Sequence, residues 1–454
     1  MNKLSAIAAF AALAVVSANA GHSNPAAGQP VPAPSPSPGA GPRLSLSLAQ
    51  ALQLALANNL TYRSVIADEK IARAKVIQAG AGRNPSVAAD YQYIHTQSAG
   101  FFAFPAPGPS PRITTFPTSA TNINNLNATL QYAVYTGGAV QAAVGEAAAG
   151  LSAAESNLAA ARADVLRDTI SAYFSLLSAL NVAAIDATAV QVAQQNLAVT
   201  QQQYNAGTLA KADVLRGQVS VANARVQSIE ANADAALANA KLANLLNINL
   251  GSQITPTEPL AIVPPSFALN DMLNDAQAKR PEIAAAHDAV VIAAHAVRGA
   301  RAGYLPNVSL QLQEASSKPN FFNVPQPQLS ETLAVTWKLF DGGLTRGKVV
   351  EAEADLDKAR IQLAQLDNSV DLEVRQAYLT YQAALAQVAA AKSAQASADE
   401  SLRVTTIRYR AGVGTSLELA DAELADTQAR TQVVSALVNL RVALANLQRA
   451  AGIL

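Results

Sequence analysis

The chain lacks cysteine altogether and is poor in aromatic and charged residues. Of its 454 residues, 5% are aromatic and 14% are charged, and 32 Lys+Arg balance 32 Asp+Glu. The absence of cysteine excludes disulfide scaffolds, thiolate metal sites and a lipid anchor on an N-terminal cysteine. The zero net charge gives no electrostatic attraction to nucleic acid. Soluble domains average about 25% charged residues, so this composition does not fit one large globular core.

Proline is absent from two long stretches, residues 118–255 and 328–454. Both stretches are rich in Ala and Gln, and proline breaks helix interiors at a cost of roughly 3 kcal/mol. Two long helical blocks are therefore predicted, each with a helix of about 100 Å at 1.5 Å per residue and a shorter returning helix. The predicted helices cover residues 139–203, 209–246, 344–408 and 417–451. Patterns of this length are typical of coiled coils.

The N-terminus has the organisation of a secretory signal peptide. Lys3 precedes an apolar run at residues 4–16, and Ala-Asn-Ala at 18–20 is a small-x-small cleavage site. Residues 1–20 are therefore predicted to be removed on export, and residues 21–43 form a Pro-rich, extended leader. No other apolar stretch was expected to reach the ~20 residues of a membrane-spanning helix. Any membrane insertion is therefore predicted to use strands.

The remainder of the chain is an internal duplication. Asn-Pro-Ser-Val at residues 84–87 corresponds to Leu-Pro-Asn-Val at 305–308, 221 residues later. A Gly-Gly pair follows the strands in each half, Gly137 and Gly138 in the first, Gly342 and Gly343 in the second, 205 residues later. The predicted repeats are residues 44–254 and 267–454, joined by a Pro-rich linker at 255–266. Each repeat reads as a helix (46–82 or 267–303), two strands and two long helices, and the Gly-Gly pairs mark the strand–helix junctions.

Four segments alternate between apolar and polar residues with the period of a β-strand. They lie around residues 87–94, 126–134, 308–313 and 332–339. A soluble sheet on a helix layer gives the same alternation. The export signal and four aromatic residues on the apolar faces favour membrane strands; these residues are Tyr91, Tyr93, Tyr132 and Trp337. Four strands cannot close a barrel, since the smallest membrane barrels have eight. Two copies of the chain would supply eight strands and three copies twelve.

The signal peptide, the duplication, the strand pairs bounded by Pro and Gly-Gly, and the long helices ending at Tyr-x-Ala-Gly together resemble the TolC family of bacterial outer-membrane efflux proteins. The resemblance covers residues 44–454. It implies an α+β membrane protein: a long helical coiled-coil barrel joined to a transmembrane β-barrel completed by trimerisation, with four strands per chain and twelve in total. It further implies a location in the outer membrane with the helices in the periplasm. The implied partners are a periplasmic adaptor and an inner-membrane pump, in efflux or type I secretion.

The resemblance also assigns residues to the tunnel entrance. The helix-tip turns match Gly207 and Gly412, and the entrance acids match Glu418 and Asp421. Asp213, grouped with the entrance acids, matches an acid in the hydrogen bonds that hold the tip closed, and Tyr409 matches a tyrosine in them. The predicted latch also includes Tyr204, the equivalent of Tyr409 in the first repeat, and Arg410. Gly414 stands where the family has a basic residue, which leaves Arg410, Arg408 or Lys211 to take its part, or a closed state held in another way.

Three copies of a Glu418/Asp421 pair at a narrow opening would concentrate up to six negative charges. Rings of this kind favour cations over anions. The alternative is that both acids lie on an ordinary solvated helix face.

No catalytic, cofactor-binding or metal site is predicted. Gly-x4-Gly-Lys at residues 342–348 has the spacing of a phosphate loop, but Val349 replaces the Ser or Thr that would hold Mg²⁺. His287 and His295 lie eight residues apart and are not part of a His-Glu-x-x-His zinc motif. They are therefore interpreted as residues on a helix face and not as metal ligands. The competing hypothesis is a soluble periplasmic coiled-coil adaptor or scaffold without a barrel. It explains the export signal and the helices but not the two-faced strands.

Overall fold

A computed structural model describes residues 43–96, 101–106, 112–117, 121–260, 263–318 and 326–454. The predicted signal peptide and nearly all of the Pro-rich leader lie outside these residues. The first part of the chain contains β1 (Arg43–Leu46), α1 (Leu48–Asn58), α2 (Leu60–Ala81), β2 (Ser86–Thr96), β3 (Phe101–Ala106), β4 (Arg112–Pro117), β5 (Thr121–Tyr135), α3 (Ala139–Asn205), α4 (Lys211–Leu245) and β6 (Gln253–Pro256). The second part contains α5 (Leu269–Lys279), α6 (Pro281–Arg301), β7 (Asn307–Lys318), β8 (Gln326–Thr336), α7 (Leu344–Arg410) and α8 (Ser416–Ala450).

The long helices have the same lengths in both repeats. α3 and α7 have 67 residues each, and α4 and α8 have 35 each. Their ends lie within two residues of the predicted bounds. α3 packs against α4 on one side and α8 on the other, and α8 packs against α7. The four helices therefore stand side by side in the order α4, α3, α8, α7.

Each repeat opens with two helices where one was predicted. Asn59 separates α1 from α2, because its Oδ1 accepts a hydrogen bond from the Tyr62 amide at 3.0 Å and caps α2. Its Nδ2 also donates to the Leu245 carbonyl at the end of α4. Arg280 separates α5 from α6, because Pro281 has no amide proton to continue the first helix. The predictions of single helices over residues 46–82 and 267–303 were therefore wrong at these two points.

Two buried tyrosines tie the long helices to the segment that joins the repeats. The Tyr173 hydroxyl donates to the Leu46 carbonyl at 2.9 Å and accepts from the amides of Thr257 and Glu258. In the second repeat, the Tyr381 hydroxyl donates to the Pro265 carbonyl at 2.6 Å. Each tyrosine lies in one of two apolar clusters that form the core. The linker is thus fixed by hydrogen bonds at both of its ends.

The sheet has the antiparallel order β2-β5-β7-β8. Its apolar residues share one face, because Val87 lies opposite Leu130 and Leu130 opposite Leu312. That face is uncovered within one chain: Tyr91 on β2 is 68% exposed and Leu333 on β8 is 66% exposed. Trp337, directly after β8, is 58% exposed. Tyr93 is also exposed, whereas Tyr132 is half-buried. An apolar sheet face of this extent is typical of an interaction with lipid or with another protein.

The fourth strand of the sheet, β8, ends three residues before the predicted end at residue 339. β8 ends at Thr336, which pairs with Asn307 at the start of β7. Residues 337–339 have no partner strand within the described chain, so they leave the ladder. The Trp337 indole instead donates to the Tyr304 carbonyl at 3.0 Å.

Two further strand pairs were not predicted. β1 and β6 form a parallel ladder of four residues, with Leu44 opposite Ile254. β6 therefore extends two residues into the predicted linker, and β1 begins at the last residue of the predicted leader. β3 and β4 form an antiparallel hairpin within the insertion between β2 and β5.

One helix, α3, is long and apolar enough to cross a membrane, contrary to the prediction from the sequence. By length and composition alone, α3 contains an 18-residue window with a mean hydropathy of 1.5 that could cross a membrane, and 17% of the window is buried. The expectation that no such stretch follows the signal peptide is thereby corrected. Ala-rich helices that pack on other helices satisfy the same criterion, and α3 packs against α2, α4, α6 and α8.

Candidate functional site

The turns after α3 and α7 have the same backbone geometry. Gly207 and Gly412 both have φ of +75°, a left-handed conformation that costs glycine little. In each turn the amide of the following residue, Thr208 or Val413, donates to a carbonyl five residues back at 3.0 Å. This is the hydrogen-bond pattern of a Schellman helix end. The two helical hairpins, α3–α4 and α7–α8, therefore have matching tight turns at the same end of the four-helix row.

Of the three latch residues, only Tyr409 connects two hairpins. It is buried, and its hydroxyl lies 2.8 Å from Thr200 Oγ1 on α3. Thr200 donates its own proton to the Asn196 carbonyl, so Tyr409 is the donor in the bond between them. Tyr204 and Arg410 lie exposed and take no part in this contact.

The three candidate acids have different environments. Asp213 joins the two turns, because its Oδ1 accepts from Ser416 Oγ at 2.7 Å, and it also pairs with Arg216 at 3.2 Å. Glu418 caps its own helix: its amide donates to Thr415 Oγ1, and its carboxylate accepts from the Thr415 amide. Arg408 lies 3.9 Å from that carboxylate. Asp421 is exposed and lines a groove between the hairpins.

This groove has a volume of about 1160 Å³ and is lined mainly by α3, α4 and α8. Its wall holds an acid that the sequence analysis missed. Glu423 accepts a hydrogen bond from Asn196 Nδ2 on α3, and burial raises the pKa of its carboxyl to about 7 despite that bond. Glu423 follows the entrance acids by only two residues, but its burial depends on α3, more than 200 residues away. Sequence spacing therefore gave no signal for it.

A second acid, one turn further along α8, is buried. Asp426 accepts from Arg430 Nε at 2.8 Å, and Arg430 also donates to Asp399 on α7 at 2.5 Å. Burial and the neighbouring Asp399 raise the pKa of Asp426, while Arg430 opposes the rise. Asp426, Arg430 and Asp399 thus join α8 to α7, while Glu423 joins α8 to α3.

We expect the contact between α3 and α8 to weaken as the pH rises. The folded protein keeps the Glu423 proton to about pH 7, whereas the unfolded chain loses it near the ordinary value of 4.5. The folded state therefore binds more protons between these values, and stability falls across this window as pH rises. Glu423→Gln should show a smaller drop in melting temperature between pH 5 and pH 8. Glu230→Gln, at an exposed position on α4, should keep the wild-type drop; equal drops in all three proteins would contradict the assignment.

Removal of the Tyr409 hydroxyl is expected to weaken the contact between the two hairpins. Tyr409→Phe leaves Thr200 without its donor inside the protein, and the loss of one buried hydrogen bond costs about 1 kcal/mol. Chemical unfolding should report this decrease. Tyr204→Phe is the matched control, since its hydroxyl makes no hydrogen bond in the described part of the chain. A control variant as destabilised as Tyr409→Phe would contradict this account of the latch.

The Gly-Gly pairs lie at the strand–helix junctions, all with positive φ: Gly137, Gly138, Gly342 and Gly343. Asp341 caps the start of α7, since its carboxylate accepts from the amides of Gly343 and Thr345 and from the Thr345 hydroxyl. These bonds, led by the Thr345 hydroxyl, lower the pKa of Asp341. Two of the amides that a phosphate would need, those of Gly343 and Thr345, are therefore already occupied.

Alanine at the two junctions should have unequal effects. A Cβ at Gly137 would lie 2.8 Å from both the Ala302 carbonyl oxygen and Leu305 Cβ, whereas one at Gly342 would have nothing within 4 Å. Gly342→Ala should therefore cost only the left-handed backbone, about 1–2 kcal/mol. Gly137→Ala should cost about 1–3 kcal/mol more through overpacking. Urea unfolding of both variants measures the difference, and equal losses would contradict the close approach at Gly137.

Comparison with known proteins identifies the architecture. The sequence profile of the family described as outer membrane efflux protein matches residues 51–248 and 272–453. Protein CyaE of Bordetella pertussis is 29% identical over 341 residues, which cover 72% of this chain and 71% of CyaE. The alkaline protease secretion protein AprF of Pseudomonas aeruginosa is 27% identical over 274 residues, which cover 58% of this chain and 56% of AprF.

The fold is shared with solved structures. The Campylobacter jejuni CmeC outer membrane channel superposes with a TM-score of 0.77 at 17% identity, covering 89% of this chain and 85% of CmeC. This likeness confirms the predicted fold class of a helical barrel joined to a β-barrel. The profile match extends through both repeats and includes the residues at the helix tips. The chain belongs to the outer membrane efflux protein family, and it is an outer-membrane channel protein of the kind used in efflux or type I secretion.

Proposed function

We propose that three copies of this chain form a closed conduit from the periplasm to the cell exterior. The observation that carries the proposal is the four-stranded sheet, which leaves β2 and β8 as open edges and exposes its apolar face. In lipid, unpaired backbone groups at an edge cost several kcal/mol each. Twelve strands from three copies remove every edge, and the resemblance to trimeric channels favours three copies over two.

The turns at Gly207 and Gly412 then form the entrance, one helix length from the sheet. Glu418 and Asp421 follow the second turn and supply the acidic ring, while Tyr409, through Thr200, helps to hold the hairpins together. A periplasmic adaptor and an inner-membrane pump are the partners that this arrangement requires. The signal peptide at residues 1–20 supplies the export.

The cargo is proposed to be a polypeptide. AprF is named for the secretion of alkaline protease, and its likeness to this chain extends over more than half of both proteins. Deletion of the gene should then leave a secreted protein inside the cell while tolerance to small toxic compounds is unchanged. Loss of tolerance without a secretion defect would assign the channel to drug efflux instead.

Membrane fractionation tests the assembly. We expect the protein in the outer membrane as a trimer that resists SDS until it is heated. The competing scaffold hypothesis expects a monomer released by osmotic shock, and that result would overturn the channel proposal.

A further inference from the structure

The two repeats use the same register within their strand pairs. Val87 lies opposite Leu130 in the first repeat. Moving these positions by the offsets of the duplication, 221 and 205 residues, gives Val308 and Val335, which lie opposite each other in the second repeat. The duplication therefore preserves strand register to the residue.

The repeats meet within one chain where β5 pairs with β7. In that ladder Leu126 lies opposite Ser316. The positions equivalent to these two residues in the other repeat are Glu331 on β8 and His95 on β2, the two open edges of the sheet. Suppose that β8 of one copy pairs with β2 of the next copy in the register that β5 and β7 use within one chain. Glu331 then lies directly opposite His95 of the neighbouring copy.

Neighbouring residues on the two edges fit this register. It places Leu333 opposite Tyr93 and Val335 opposite Tyr91 of the neighbouring copy. All four side chains are more than half exposed in the single chain, at 66%, 56%, 64% and 68% in that order. Aliphatic–aromatic pairs of this kind stabilise antiparallel sheets. A shift of two residues in one direction would instead put the Glu331 carboxylate against Tyr93.

Glu331 needs a polar partner because of the face on which it lies. Glu331 pairs with Leu312 on β7, and the same row of side chains continues through Leu130 on β5 to Val87 on β2. A carboxylate in this apolar row is costly in lipid unless it is paired. The chain on its own places Leu312 beside it, and the neighbouring edge would supply an imidazole.

We propose that Glu331 pairs with His95 of the neighbouring copy across each seam of the closed barrel, in the register that β5 and β7 use within one chain. The inference rests on the proposed assembly of copies into a barrel. It adds the register and the pair of side chains that define the seam. Opposite residues of antiparallel strands have Cα atoms about 4.5–5.5 Å apart. A disulfide joins Cα atoms about 4.4–6.8 Å apart, so two cysteines at opposite positions can be cross-linked.

Disulfide trapping tests the seam, and the absence of native cysteine removes background. Oxidised outer membranes that carry His95→Cys/Glu331→Cys should give covalent dimers and trimers on non-reducing gels after heating, and each single variant should give none. The controls shift the register by two residues each way: Tyr93→Cys/Glu331→Cys and His95→Cys/Leu333→Cys. Stronger cross-linking in either control than in the main pair would overturn the proposal.

Different results would contradict the proposed assembly and the proposed register of the seam. If unheated wild-type protein is not a trimer, the proposed assembly itself is wrong. If the trimer is present but only a control pair cross-links, or no pair does, the register alone is wrong. A second measurement covers variants that assemble poorly: His95→Ala, Glu331→Ala and the double variant are compared by the temperature at which the SDS-resistant trimer dissociates. We expect the double variant to lose no more than the larger single loss, and additive losses would contradict a direct pair.

Discussion

Arg449→Ala is expected to lower the free energy of unfolding by about 3–5 kcal/mol, because it removes two charge-assisted hydrogen bonds that each contribute about 1.5–3 kcal/mol. Arg449, near the end of α8, is 6% exposed. Its Nε donates to Asp164 on α3 at 2.9 Å, and its Nη2 donates to Glu282 on α6. One side chain therefore joins both repeats, and its loss should affect the whole helical row.

The pH dependence of Arg449→Ala should also change. Burial would by itself raise the pKa of Glu282, but hydrogen bonds from Arg449, its own backbone and Arg280 hold it below the ordinary value. The stabilisation is present above the ordinary carboxyl pKa and is lost as the pH falls through the lower, native value. The variant should lose less stability on acidification than the wild type. Arg403→Ala, which removes an exposed pair with Glu400, should leave the free energy of unfolding almost unchanged, because solvent screens surface ion pairs. A similar loss from both variants would contradict the buried network.

Neutralising the entrance acids should abolish most of the channel's cation selectivity. The double variant Glu418→Gln/Asp421→Asn removes up to six negative charges from a trimer. Gln at position 418 can still accept from the Thr415 amide and so keep the helix cap. The ratio of cation to anion permeability in planar bilayers should fall toward one, because fixed charge at a constriction sets this ratio.

A matched variant separates the ring from general surface charge. Asp357→Asn/Asp371→Asn also removes two carboxylates per chain, both exposed and in local pairs on α7. This control should keep wild-type selectivity. An unchanged permeability ratio in the entrance variant would place Glu418 and Asp421 on an ordinary solvated face.

The sequence was sufficient for the elements that repeat or have a clear period. Helix and strand periods, the Pro-free blocks and the Gly-Gly pairs located α3, α4, α7 and α8 to within two residues. The offsets of the duplication also agree with the strand register, since the pairs Val87–Leu130 and Val308–Val335 are equivalent. Such features are local, so one chain segment is enough to reveal them.

The features that the sequence missed depend on distant partners. Asn59 ends a helix by capping the next one and by contacting Leu245, and the β1–β6 ladder joins residues about 210 apart. Glu423 is half-buried, and its partner Asn196 on α3 lies 227 residues away in the sequence. The latch residues Tyr204 and Arg410 were inferred by resemblance, but the structure brings only Tyr409 to Thr200. Contacts of this kind cannot be read from spacing within one segment.

The most direct test of the channel assignment is the conductance of protein purified from the outer membrane and added to planar lipid bilayers. The account predicts stepwise, cation-selective conductance from the SDS-resistant trimer and none after heating to monomers. A water-soluble monomer that produces no conductance in the bilayer would contradict the channel assignment.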